Sequence, residues 1–459
     1  MAAAVALAER GIPVTVFESA QQLGGRARGF EYNGAQTPSL QLSPSGGEGE
    51  RPLRGNRVML DNGQHLLLGC YRHTLRLIEQ VGGNIEKDFL RLPLQLDLHG
   101  VFSLKAPRLP APLHLLFALL TAQGLSFNAR LNAVRFMFKL RRMNFILPSP
   151  ASGESEARGA QQWSEAEGEG NDTTVSALLA QHGQNADLTL KLWEPLCIAA
   201  LNTPIHKASA QVLLNVLRDA LHQSRDDSDM LLPRIDFTAL FPQRAADYVE
   251  KKGGKVCIAC GVETIRPIEN GIELTTVLGT KSFSHVICAT SPMVAVRLLQ
   301  PIAELAETVA QIDSLEHQPI YTVYLQYPTT VRLPHPMLGL HQRYSQWLFD
   351  KGQIAGQHGL LAAVISAEGI HQELSQEELA QKVIVELKEK FGITERPAWY
   401  KVIAEKRATF CCTPNLQRPS QQTPLPRLLL AGDYTAGDYP ATLEGAVMSG
   451  VRCANLISG

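Results

Sequence analysis

The first eighteen residues constrain the fold most. Residues 2–10, AAAVALAER, have helix-forming composition, and Gly11 is a natural stop after them. Ile12 to Glu18, IPVTVFE, is a short β-branched strand that ends on an acid. Helix, tight glycine turn, strand, acid is the second half of a βαβ unit, so an α/β fold with parallel strands is expected.

The acid suggests a use for that unit. A carboxylate at the end of the second strand of a dinucleotide-binding βαβ unit accepts hydrogen bonds from ribose hydroxyls, and Glu18 is so placed. Alone this is weak, because an acid at a strand end is more often simply solvated. It is followed by Gln22-Leu23-Gly24-Gly25-Arg26-Ala27-Arg28. Paired glycines let backbone N–H groups approach a phosphate, and the arginines supply positive charge.

A matching signal lies at the other end. Leu429-Leu430-Ala431-Gly432-Asp433 reads as a strand delivering an acid at its carboxyl edge. Pro440 to Ile457 reads as a helix, with the proline in its first turn and small residues at Gly445 and Ala446. Its N-terminus is suited to an anionic ring system, and Asp433 to a polyol or diphosphate.

The middle of the chain is apolar. Leu113 to Phe138 reads as two amphipathic helices broken near Gly124, followed by Lys139, Arg141 and Arg142. Such a pair suits either a core or the surface of an anionic membrane. Val175 to Leu221 is helical, with breaks at Pro195 and Pro204. Pro38 to Arg57 and Ser149 to Asp172 have loop or low-complexity composition. No apolar run is long enough to span a bilayer. A net charge of -1 gives no reason to expect nucleic acid as a partner. Eight cysteines in 459 residues are not a disulfide scaffold, and suit a reducing cytoplasm. Cys257 and Cys260 form a lone CxxC; KVCIACGV reads as a strand that points the two thiols to opposite faces, so no metal site is expected.

These pieces resemble the amine oxidase and phytoene desaturase superfamily of flavoproteins: strand-terminal Glu18, Gly24-Gly25-Arg26, and Gly432-Asp433 with Glu444-Gly445-Ala446. The superfamily's opening GxGxxG has no counterpart, since Met1 falls just after the position of its third glycine. A start assigned too late and a degenerate copy both account for this. The chain as written is then expected to bind FAD poorly or to fold poorly. Within the superfamily, LDNGQHLLLGCYRHTL, LPAPLHLLFALL, LWEPLCIAALNTP, LLPRIDFTALFP, QWLFDKG, EKRATFCCTP and PATLEGAVMSG resemble the hydroxysqualene dehydroxylases, the squalene-associated FAD-dependent desaturases. The similarity spans the chain except about Gln36 to Arg57 and Pro148 to Asp172.

The resemblance implies a Rossmann-like, two-dinucleotide-binding-fold FAD domain interleaved with a mixed α+β substrate domain. The FAD domain is expected over 1–90, 246–300 and 411–459, and the substrate domain over 91–245 and 301–410, with a disordered insert at 149–172. It implies FAD held by Glu18, Gly24, Gly25, Arg26, Val262, Gly432, Asp433, Glu444, Gly445 and Ala446, with Val262 meeting adenine through its backbone. It implies an isoprenoid lipid substrate, hydroxysqualene reduced to squalene, in a cytoplasmic protein with peripheral membrane contact; the electron donor stays open. The alternatives are a polyene desaturase, an amine or porphyrinogen oxidase, and a non-catalytic lipid-binding relic. The reaction needs an acid for the departing hydroxyl. Asp61, His65, Glu194, Asp226, Asp227 and Asp229 are all candidates, and the sequence does not choose among them.

Overall fold

The computed structural model describes residues 1–34, 57–147, 172–221 and 224–458. The loop-like inserts expected over Pro38–Arg57 and Ser149–Asp172 fall almost wholly outside these residues.

One part of the molecule is built on parallel strands. Thr15–Phe17 pairs with Lys255–Cys257, and Val286–Cys288 pairs with Leu428–Leu430, both in parallel. The opening helix Ala2–Glu9 is apolar on nearly every side because it is enclosed on nearly every side. Ala4, Val5 and Ala8 pack with Leu77, Ala245, Val249 and Val447, while Leu7 packs with Leu429, Ala431 and Cys453. Small residues let it approach the terminal helix Leu443–Leu456 closely: a Cβ at Gly450 would lie 3.1 Å from the Ala3 nitrogen. Arg10 then donates to the carbonyls of Ala454 and Ile457, both at 2.5 Å, so a cation meets the negative end of that helix.

The other half centres on a seven-stranded sheet. Its order is Trp399–Phe410, His317–Gln326, Leu360–Ser366, Trp347–Asp350, Met337–Gly339, Gln95–Leu98, Phe102–Lys105. Leu360–Ser366 is buried along its whole length because both sheet faces are covered. Helix Gln376–Phe391 covers one face through Leu379, Ala380, Val383 and Leu387. A capping box at Ser375 and Glu378 starts that helix, and Gly392 at φ 67° ends it. The opposite face, with Tyr324, Ala362 and Val364, joins a large cluster with helices Leu113–Thr121, Phe127–Arg142 and Ala210–Leu221.

Three local expectations are corrected. The strand KVC stops at Cys257, and Ala259 turns with φ 50°, so Cys260 is not on that strand; among the described residues no cluster is suited to a metal. Pro440 precedes the terminal helix, whose N-cap is Thr442. Pro195 does not break its helix: it sits in the first turn of Glu194–Leu201, directly after a π-helical turn at Thr189–Trp193. All eight cysteines are free thiols.

Candidate cofactor and active site

The front wall of the site follows from the strand ending at Phe17. Glu18 extends its backbone ladder, donating to the Cys257 carbonyl at 2.8 Å and accepting from the Cys260 N–H at 2.8 Å. Its carboxylate accepts from the Ala20 N–H at 2.8 Å. The Met1 amine, at the start of the opening helix, is buried; burial lowers its pKa and the nearby Glu18 charge raises it. Glu18 therefore stands by the N-terminal end of that helix. Val262 opens an antiparallel strand directly after Gly261, where a Cβ would be 3.2 Å from that of Ser19.

The glycine pair makes the next turn. Gly24 has φ 119°, and a Cβ there would lie 2.7 Å from the Ala27 carbonyl oxygen, so only glycine fits. Gly25 has φ 57° with nothing within 4 Å of a built Cβ, so its backbone is open on that side. Arg26 then reaches across the molecule. Its guanidinium donates to Asp433 Oδ1 at 2.6 Å and to the Ala408 carbonyl.

Asp433 is the rear wall. Gly432 donates to Ser449 Oγ at 2.8 Å, which ties the turn to the terminal helix. Arg418 donates to the carbonyls of Asp433 and Tyr439. Thr442 caps the helix by accepting from the Gly445 N–H at 3.1 Å, and Ala446 donates to the Thr442 carbonyl.

Glu444 departs from its expected place. It is 1% exposed. Its carboxylate accepts from the N–H groups of His73 and Thr74, both at 2.9 Å, and from the Thr74 hydroxyl at 2.7 Å. It thus caps helix Arg72–Gln80, whose own N-cap Tyr71 supplies no side-chain bond. Any part Glu444 has in holding a cofactor is confined to its backbone. The signal was available: CYRHTL begins a helix without a Ser, Thr, Asp or Asn before it.

Beside Arg26 lies a buried polar group. Asn62 bonds to the carbonyls of Arg26 and Arg28 and so fixes the DNGQH segment against the glycine turn. Asp61 is buried, with Oδ1 accepting from the Phe237 N–H at 2.8 Å. Burial raises its pKa to about 6, against the opposing pull of that bond and of Lys351. Burial, with Lys351 and Arg26 nearby, lowers His65 to about 4. Lys351 was not foreseen. It is buried, donates to Gln64 Oε1 at 3.2 Å, and has its pKa lowered by burial. Its signal in the sequence was a lysine two residues after the apolar run Trp347-Leu348-Phe349. Next to this group opens a cleft of about 450 Å³, lined among others by Gln22, Arg28, Phe30, Asn62 and Lys401.

The other acid candidates are engaged elsewhere or stand apart. Asp227 pairs with Arg72 at 2.9 Å, Asp229 with Arg91 at 3.2 Å and Asp226 with Arg225 at 2.5 Å. Glu194, its pKa raised by burial, lies near His206 and His341.

The residues present fit a dinucleotide. The glycine turn is open at Gly25, the terminal helix presents its first turn, and two buried polar atoms near Arg26, His65 Nε2 and the Tyr434 hydroxyl, have no protein partner. A parallel-stranded nucleotide half whose front and rear signatures meet, joined to a sheet with an apolar helical cover, defines an FAD-dependent oxidoreductase. The chain belongs to the family of flavin containing amine oxidoreductases, matched over residues 1–458. It is 26% identical to hydroxysqualene dehydroxylase of Sinorhizobium fredii, over 99% of this chain and 95% of that protein. It is 25% identical to the hydroxysqualene dehydroxylase of Rhodopseudomonas palustris, over 100% and 95%. Zeta-carotene desaturase of Zea mays is 23% identical, over 100% and 81%. The fold matches that of an oxidoreductase from Methanosarcina mazei, with a TM-score of 0.69 at 13% identity and coverage of 99% and 97%. Among the described residues no helix is long and apolar enough to cross a membrane.

Proposed function

We propose that this chain removes the hydroxyl of hydroxysqualene to give squalene, with FAD held by Glu18, Gly24, Gly25, Arg26, Val262, Gly432, Asp433, Gly445 and Ala446. The observation that carries the reading is the Arg26–Asp433 pair, which joins the two halves of the cofactor signature beside the half-buried DNGQH segment with its buried Asp61. Similarity to hydroxysqualene dehydroxylases along the whole chain supports the substrate.

Reduced FAD supplies a hydride for the carbon that loses its oxygen. The chain's residues have two tasks: to protonate the departing hydroxyl so that it leaves as water, and to keep other water from the resulting cation. Asp61 suits the first. It keeps its proton to about pH 6 and stands against the glycine turn, whereas Asp226, Asp227 and Asp229 are paired with arginines. His65 stays uncharged down to about pH 4, so it adds no cation beside the one formed. The large apolar cluster behind the sheet suits the second task. A substrate of this kind dissolves in lipid, so the reading has the protein meet it at a membrane surface.

The test is anaerobic incubation of the flavin-loaded protein with hydroxysqualene and a reductant, with products read by mass spectrometry. Squalene formed in proportion to enzyme is the expected result. The zeta-carotene desaturases, 22–24% identical over the whole chain, favour a second reading, a polyene desaturase. In a parallel incubation with a linear polyene and a quinone acceptor in place of the reductant, a product two hydrogens lighter than its substrate, with no squalene formed in the first incubation, selects that reading and rejects ours.

A further inference from the structure

The helix pair Leu113–Thr121 and Phe127–Arg142 has two unlike sides. Its inner side, with Ala118, Leu119, Ala129, Ala133, Phe136 and Leu140, is buried in the main core cluster. Its outer side is not polar, as a solvated helix face would be. Leu113, Leu116, Phe117 and Leu120 recur at the spacing of one helical face, and Leu113 and Phe117 are 43% and 45% exposed. On the second helix Phe127, Leu131, Arg135, Phe138 and Arg142 share a face, with Phe127 69% and Phe138 52% exposed.

The charge on this region is one-sided. Residues 98–147 contain seven Lys or Arg and no Asp or Glu, in a chain of net charge -1. Lys105 pairs with Asp97 at 3.8 Å, just outside this stretch, Arg130 is spent on the carbonyls of Leu120 and Leu125, and Lys139 lies 3.2 Å from His182 Nδ1. Arg108, Arg135, Arg141 and Arg142 have no hydrogen-bond or ion-pair partner among the described residues. Exposed phenylalanines interleaved with unpaired arginines suit an interface that is apolar below and anionic at its surface.

We infer that this outer face docks on an anionic lipid bilayer, with Phe117, Phe127 and Phe138 entering the acyl boundary and Arg135, Arg141 and Arg142 meeting headgroup phosphates. The inference deepens the membrane side of the proposed reaction and rests on it for its purpose, but its test uses no substrate, so either can fail alone. The occupant is a lipid surface rather than a second copy because the unpaired charges are all of one sign, and two such faces would repel.

The experiment is co-sedimentation of the full chain with vesicles of phosphatidylcholine alone and of phosphatidylcholine with phosphatidylglycerol. Wild type binds the anionic vesicles, and binding weakens as salt rises. R135Q/R141Q/R142Q binds them about a hundredfold less, about fivefold per cation lost. F117S/F127S/F138S binds neither vesicle. Circular dichroism checks that each variant is folded, as is expected for substitutions on an exposed face. Equal binding to both vesicle types, no binding to either, or variants that bind like wild type would overturn the inference. So would a concentration-dependent dimer abolished by the phenylalanine changes, which would make a second copy the occupant.

Discussion

The guanidinium of Arg26 lies 2.6 Å from the carboxylate of Asp433, across 407 residues of chain. Asp433 is 9% exposed, while the arginine side chain is 35% exposed and partly wetted. Removing the arginine strands a nearly buried carboxylate, at a cost of about 2 kcal/mol, less than for a fully buried pair. Arg26→Ala should lower the urea midpoint accordingly and weaken FAD retention by about tenfold. Arg26→Lys should recover part of the stability. Wild-type midpoint and flavin-to-protein absorbance in Arg26→Ala would remove the pair from both roles.

Glu444 should behave as a structural residue. Its loss leaves the His73 N–H, the Thr74 N–H and the Thr74 hydroxyl without their acceptor. Glu444→Ala should cost about 3–4 kcal/mol. Thermal unfolding and the visible flavin spectrum tell the roles apart. A large drop in Tm with an unchanged spectrum in the folded fraction is expected; the reverse would put the carboxylate on the flavin.

Asp61 sets a pH dependence. Its pKa is raised to about 6, so the protonated acid is available below that value and lost above it. Turnover should fall as pH rises through about 6, and Asp61→Asn should remove this limb and lower kcat by about 10²–10⁴-fold. Stability follows the same sign. The folded pKa lies above the ordinary carboxyl value of 3.8, so the benefit of the neutral form is complete below about 4 and gone above about 6. The Asp61 part is about 3 kcal/mol across that window and is opposed by His65, whose lowered pKa costs stability as pH falls from about 6.5 to about 4; urea titrations at pH 4 and 7 should find the Asp61 part as the change in wild type minus the change in Asp61→Asn.

Lys351 holds down the pKa values of both Asp61 and His65. Lys351→Met should therefore move both upward. The alkaline limb of the rate profile should shift to higher pH, and the His65 ring, followed by NMR, should titrate above its present value of about 4. Downward movement of either would mean that the lysine is not the cation acting on them.

The strands were legible because their chemistry is local. A β-branched run ending on Glu18, paired glycines before Arg26 and a Gly-Asp strand end each announce themselves within a few residues. The contacts between them were not. Nothing in GGRAR says that its first arginine will meet Asp433 rather than a phosphate, and Glu444 read as a ligand because its helix start was visible while its partner at Thr74 was remote. Asp61 and His65 were named from DNGQH, but choosing between them required the burial and the Lys351 charge that only the packed chain supplies. The turn at Ala259, with φ 50°, was missed because Ala259 carries no glycine or proline signal.

The enclosure of helix Ala2–Glu9 has a consequence for biosynthesis. Its wall on one side is Leu429, Ala431 and Cys453, which are synthesised roughly 420 residues after it. At roughly 5–20 residues per second, this apolar helix waits roughly 20–90 s for that wall. A nascent chain thus carries an uncovered apolar helix for a long interval, and its yield in the cell depends on what shelters that helix until Leu429 to Cys453 have been made.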